Sequence, residues 1–396
     1  VNVRNLKKLD PAASNADNRS AMHKVVHSEN IRAALAQKGW TQKQLAEALD
    51  VSAQAVTLWL KGEGLPRPDK LLKLATTLKL SLGQLVKFED PDRPVIAFRK
   101  RAATKTTQQH VDDAVTRGKL LRALVPSLPE LKALRTELPN PSVAYADLQR
   151  AVSQTRTKLG IGQDAKLAYS VLISEFAAND AFIVPVLWGE KSRHENALHI
   201  LLPATRVTFI YLNLDARIED FKFWMAHELA HVYTPQLAGT DDGEDFADAF
   251  AGALLFPQAL AERAWREVCA CRRKADVIAT LKRHAAEHEI SLFTVYRQVQ
   301  DYAMAHEAKP LALNEGVDIH AVRSAIRGRT VAQDLFGSEP PEPAAYLAAA
   351  QNVFRSEFFP SLQRMFRAHG TGPAYLQQIL DLPLSDATSL HAALMR

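Results

Sequence analysis

Cysteine is nearly missing from this chain of 396 residues: its two copies, Cys269 and Cys271, stand too close together to staple a fold and lie in an Arg-rich stretch. A disulfide framework is thereby excluded, and reduced thiols in a cytoplasmic protein are the expectation. Long apolar runs are missing too. None approaches the ~18 residues of a membrane span, and the polar N-terminus has no apolar core of a signal peptide, so no membrane partner is expected. No internal repeat stands out. What is present is an apolar fraction of 47%, ample for globular folding, in a chain too long for one ordinary core, so two to four domains are expected.

Charge is unevenly placed. Residues 22–105 carry 15 Lys and Arg against 8 Asp and Glu, a net of +7, which leaves −2 for the remainder of a chain whose total is +5. Within that basic stretch the apolar spacing and turn residues mark short helices. Ile31 and Leu35 lie on a first helix ended by Gly39. Thr41 caps a second, Gln42–Leu49, and Ser52 caps a third, Ala53–Lys61, closed by Gly62. Two capped helices joined by a tight turn make a helix-turn-helix. Two further helices, Asp69–Leu78 and Leu82–Phe88, complete a five-helix module.

The chemistry-bearing stretch lies between Phe221 and Pro257. His227-Glu228-Leu229-Ala230-His231 sits in a run free of Gly and Pro whose apolar positions fit a buried helix stopped by Pro235. Two His four apart share one helix face and can reach one ion, while Glu228 points toward a water beside it. A third protein ligand is needed, and the next helix, which Glu244 opens, offers candidates. Glu244 is placed to ligate, Asp245 is the runner-up, and Asp248, one turn on from Glu244, is placed to orient a ligand His from behind.

These residues carry two resemblances. Thr41-Gln42, Leu45-Ala46, Val51-Ser52, Val56, Trp59 and Gly62 resemble the XRE/Cro repressor DNA-binding domain, of lambda-repressor-like fold, over about 60 residues. That resemblance implies that Ser52, Ala53, Gln54 and Thr57 face the major groove of an operator in double-stranded DNA, that Gln42, Lys43 and Lys61 meet its backbone, and that the protein is a homodimer. Leu58 departs from the usual polar choice. Phe223-x-x-Ala226-His-Glu-Leu-Ala-His231, followed by Glu244-x-x-Ala247-Asp248-x-Phe250-Ala251-x-x-Leu254-Leu255-x-Pro257, resembles the ImmA/IrrE metallo-endopeptidases over roughly residues 150–300; Phe256 departs from the usual Met. This resemblance implies His227, His231 and Glu244 as ligands of Zn²⁺, with Mn²⁺ as the alternative, and Glu228 as general base. A transcriptional repressor is the implied protein substrate, cleaved in a stress or mobile-element response.

The expected fold is multidomain and mostly α. The reading places a disordered tail at 1–21, the DNA-binding domain at 22–90 and a charged helical connector at 91–144. An α+β zincin-like peptidase domain with a small sheet follows at 145–306, then a helical C-terminal region of unassigned role at 307–396. Strands are expected at Ala181–Trp188, Ala197–Leu202 and Val207–Leu214, the last as an edge able to pair with substrate. His199, Tyr211 and Tyr233 are weighed as oxyanion donors against simple core packing. His284, His288 and His306 are expected on the surface, and the short helices near the C-terminus are candidates for dimerisation. The alternative function is a transcription factor or antitoxin whose peptidase-like domain is a non-catalytic sensor.

Overall fold

The computed structural model describes residues 23–62, 64–90, 92–98, 108–132, 134–188, 197–322 and 328–396; the expected tail 1–21 and Arg99–Arg101 of the basic run lie outside the described residues. Contacts divide the chain after Arg93 into two units.

The first unit contains β1 (His23–Val26), α1 (Ser28–Lys38), α2 (Gln42–Leu49), α3 (Ala53–Lys61), α4 (Pro68–Leu78), α5 (Leu82–Leu85) and β2 (Val86–Glu89). Local chemistry explains the boundaries. Thr41 and Gln44 form a reciprocal capping box at the start of α2, and the Ser52 hydroxyl accepts from the Ala55 amide at 3.1 Å at the start of α3. Gly39 and Gly62 end α1 and α3 in the left-handed conformation, with φ of 65° and 77°. Ile31, Leu35, Leu45, Leu49, Val56, Leu60, Leu74 and Leu85 close one apolar core. The helix expected over Leu82–Phe88 keeps only its first turn. From Val86 the chain runs extended and pairs antiparallel with β1, a partner of low sequence regularity that the helical spacing does not reveal.

The second unit is mostly helical and built around a four-stranded sheet. It contains β3 (Val95–Phe98), α6 (Gln108–Leu121), α7 (Tyr145–Lys158), α8 (Tyr169–Ala178), β4 (Ala181–Val186), β5 (Ala197–Leu202), β6 (Val207–Asn213) and α9 (Ile218–Tyr233). These are followed by α10 (Asp241–Leu255), α11 (Gln258–Cys269), α12 (Lys274–His288) and α13 (Leu292–Ala305). After a π-helical turn at Glu315–His320 come α14 (Val331–Phe336), α15 (Pro343–Asn352), α16 (Phe358–His369), α17 (Pro373–Leu380) and α18 (Leu384–Leu394). Strand order is β3-β5-β6-β4, with β4 parallel to β6 and the other pairs antiparallel. β6 is therefore central, which corrects its expected place at the edge.

All seven residues of β6 are buried, so both faces of the sheet need a cover. The pleat sends Ile210 and Leu212 into the core that contains α7 to α13, and Phe209 and Tyr211 into a second core made with α6, α15, α16, α17 and α18. This corrects the expected partition. The connector and the C-terminal region are not separate pieces, and the C-terminal helices bury apolar residues against the sheet. The outward edge of β4 is blunted as well, because the Ile183 and Pro185 carbonyls accept from the Ser356 and Tyr346 hydroxyls.

Leu376 is fully buried under that second face. Leu376→Ala is expected to destabilise the second unit by about 2–5 kcal/mol, whereas Thr41→Ala removes a cap worth about 1 kcal/mol from the first. Urea denaturation followed by fluorescence checks both; if Leu376→Ala leaves the midpoint unchanged, the C-terminal helices are not part of the core.

Candidate metal centre

Helix α9 begins with Glu219 and Asp220, which suit the positive end of a helix dipole, and it is buried over almost its whole length from Phe221 onward. Its two His are one turn apart and face α10. The Thr240 side chain caps α10 by accepting from the Gly243 amide at 3.0 Å, which sets the first turn that carries Glu244. Gly243 permits a close approach there: a Cβ would lie 2.2 Å from the Leu237 carbonyl oxygen. At the other end of α10 the buried Arg156 guanidinium donates to the Leu254 carbonyl at 2.6 Å, closing a helix end that would otherwise be unsatisfied.

The arrangement brings His227, His231 and Glu244 together, with their ligand atoms within 4.8 Å of one another. The Nε2 atoms of His227 and His231 are 3.1 Å apart, and Glu244 oxygens lie 3.5 Å from the first and 3.3 Å from the second. An ion bonded tetrahedrally at about 2.0–2.1 Å has ligand–ligand edges of about 3.3 Å, so the three donors already stand at the spacing such an ion requires. Both Glu244 oxygens are buried without an aligned hydrogen bond, which a cation would remedy. The site residues thus fit a divalent ion of the zinc type. Asp248 receives a hydrogen bond from His227 Nδ1 at 2.9 Å, fixing the tautomer that presents Nε2 to the others. Asp245 is exposed and takes no part in this cluster.

Electrostatics follows from the same contacts. Burial alone would push the His227 imidazole down, but Asp248 and Glu244 outweigh it and hold its pKa up at about 9. Burial pushes His231 down despite Glu244. Burial would raise Glu244, yet the two His reverse the shift and bring it to about 2.

Glu228 is buried on the sheet side of α9, its Oε2 3.3 Å from His199 Nδ1. His199 reaches it because the pleat of β5 turns Ala197 to the α9 side and Leu198 and Ile200 to the other. The His199 ring also meets that of His231 edge-on, with centroids 5.5 Å apart. A polar residue within an otherwise apolar strand was the only sequence signal for this contact. Tyr211 and Tyr233 are not at the site: their hydroxyls donate to the Ile379 carbonyl and to Glu175, at 2.9 and 2.8 Å, in the core. A cavity of about 300 Å³ opens beside the cluster, bounded by His199, Leu201, Thr208 and His231, with Arg135 and Arg206 in its wall. Sequence reasoning missed both arginines, which no local motif marks. Each is paired with a carboxylate, Arg135 with Asp180 at 2.9 Å and Arg206 with Glu137.

The nucleic-acid candidates in the first unit are solvent-facing: Gln42, Lys43, Ser52, Ala53, Gln54 and Lys61 are exposed. Thr57 is half-buried and donates its hydroxyl to the Ala53 carbonyl at 3.0 Å.

Two expectations follow from this geometry. Because His227 holds an extra proton below about pH 9, binding of an ion must expel it, so Zn²⁺ affinity should rise about tenfold per pH unit through the neutral range. Titrations at roughly pH 6.5 and 8.5 check the sign; an affinity that falls or stays level contradicts it. Gly243→Ala must displace the Glu244 turn, and its Zn²⁺ affinity should fall by at least about tenfold, measured against a chelator of known strength.

Comparison with curated proteins and with solved structures returns no match. The family model described as a helix-turn-helix matches residues 31–85, so the first unit carries an XRE-type helix-turn-helix, the module of DNA-binding transcription regulators.

Proposed function

We propose that the protein is a DNA-binding transcription regulator whose second unit is a metallo-endopeptidase of the ImmA/IrrE type, acting on a transcriptional repressor. The observation that carries the peptidase reading is the convergence of His227, His231 and Glu244 at tetrahedral spacing, with Glu228 buried alongside. That combination is what amide hydrolysis requires: ligands to hold an ion, and a carboxylate to move a proton.

A divalent ion held there supplies Lewis acidity toward a carbonyl and makes water easier to deprotonate. The chain's own groups do the rest. Glu228 Oε takes a proton from the attacking water and returns it to the departing amine. His199, with Nδ1 3.3 Å from Glu228 Oε2 and no aligned hydrogen bond, stands where it can orient that carboxylate. Asp248 keeps His227 in the tautomer that offers Nε2. The adjoining cavity accommodates side chains of an extended substrate, and the burial of the site limits competing water.

On the DNA side, the helix-turn-helix match supports operator binding through the exposed start of α3. A repressor bound to the same operator is then presented to the peptidase at high effective concentration, which raises the cleavage rate without a tight complex between the two proteins. A homodimer fits the half-site symmetry such modules usually meet.

Two experiments test the reading. Zn²⁺-loaded wild type and Glu228→Gln should each keep the ion after dialysis while His231→Ala loses it from this centre, and only wild type should cut a repressor whose operator the protein shares, read by mass spectrometry of the fragments. If wild type and Glu228→Gln leave every such repressor equally intact, the second unit is a non-catalytic sensor. For DNA, Lys43→Ala and Lys61→Ala should each weaken operator binding and reduce the slope of log K against log salt by about 1, measured by fluorescence anisotropy. Unchanged slopes would remove those two residues from the interface.

A further inference from the structure

A second pair of histidines spaced like the first lies on α12. His284-Ala285-Ala286-Glu287-His288 puts both imidazoles on one helix face, and both are buried, at 1% and 4% exposure. This corrects the expectation that they lie on the surface: Lys, Arg and Glu around them read as a solvated helix, but α12 turns this face inward, where Phe256 meets both rings edge-on at centroid distances of 5.9 and 5.5 Å. The third histidine of that expectation, His306, is exposed.

The hydrogen bonding of the pair is incomplete in a specific way. His284 Nε2 meets Glu267 Oε2 of α11 at 2.9 Å, whereas His284 Nδ1 and both ring nitrogens of His288 are buried with no hydrogen-bond partner. Three unpaired ring nitrogens side by side are costly in a core. A carboxylate that takes the N–H of one imidazole nitrogen leaves the other nitrogen as a lone-pair donor, the arrangement usual behind metal-bound histidine. It is also the arrangement of His227 with Asp248, with the roles of Nδ1 and Nε2 exchanged. Glu287 completes a three-donor group whose ligand atoms lie within 4.8 Å of one another, and its side chain is 54% exposed, which gives an ion a way in.

We propose that His284, His288 and Glu287 form a second divalent-metal site, of the zinc type, held from behind by Glu267. The cations Arg156 and Lys222 lie near the His288 ring. The same cations, and Arg283 on Glu267 and Glu287, repel an ion and make this the weaker of the two sites.

The test is metal stoichiometry of the full chain after Zn²⁺ loading and desalting. Wild type should hold two ions, His231→Ala one, and His231→Ala combined with His288→Asn none. Within the His231→Ala background, Glu267→Gln, which touches only the outer carboxylate, should weaken Zn²⁺ binding by about 10–100-fold. Because His288→Asn alters a core position, circular dichroism accompanies it, and the partly exposed Glu267→Gln and Glu287→Gln carry the conclusion if that variant fails to fold. The proposal is overturned if His231→Ala holds no ion, or if Glu267→Gln and Glu287→Gln both bind Zn²⁺ as tightly as their parent. It stands while the first centre falls if wild type holds one ion that His231→Ala keeps and Glu287→Gln loosens.

Discussion

The second unit depends on one desolvation problem: the polar face of α9 is inside the protein. His227, Glu228 and His231 are each no more than 2% exposed, and polar groups so placed cost free energy unless something pairs with them. Nearly every neighbouring element is positioned by that requirement. The first turn of α10, which carries Glu244, can sit where it does because Gly243 lacks a Cβ against the Leu237 carbonyl. Arg156 ties down the far end of α10, and the register of β5 delivers His199 to Glu228. The helices on the far side of the sheet contribute indirectly, since they keep β5 and β6 flat against α9 by burying the opposite face.

How much of this was legible follows from the range of the interactions. Caps are local, so Thr41, Ser52, Gly39 and Gly62 marked their helix ends correctly from the sequence alone. The pentad and Glu244 are legible because helical spacing converts sequence distance into geometry. β5 was bounded correctly by its turn residues, but its neighbours were not readable: β3 pairs with β5 across about a hundred residues, and β6 is central because β4 and β5 flank it. The two-sided burial of β6 was in principle visible as the apolar run Phe209 to Leu212, which requires cover on both faces. Which helices supply that cover is a long-range matter that the run does not reveal.

The two units present charge to their surroundings in different ways. In the helix-turn-helix the cations Lys43 and Lys61 stand in solvent, where they are available to phosphates and screened by salt. In the second unit buried charges are balanced by partners: Asp180 by the partly buried Arg135, and Lys222 by the exposed Glu289 and the His288 carbonyl. Salt should therefore weaken DNA binding by the first unit and have little hold on the geometry of the His227–His231–Glu244 cluster.

The two histidine pairs show how surroundings grade otherwise similar donors. Both use positions four apart on a helix and a carboxylate behind one ring. Around His227 and His231 three carboxyl side chains gather, Glu228, Glu244 and Asp248, and a dication placed among them would be compensated by them. Around His284 and His288 the anions Glu267 and Glu287 are opposed by Arg283, Arg156 and Lys222, so an ion gains little net charge compensation. Unit charges about 4 Å apart interact by about 4 kcal/mol at an effective dielectric constant of about 20, so such a difference in surroundings favours the first group over the second. If both groups bind a divalent ion as proposed, the first would fill at concentrations that leave the second bare, so that occupancy of the second would follow only a surplus of the same metal.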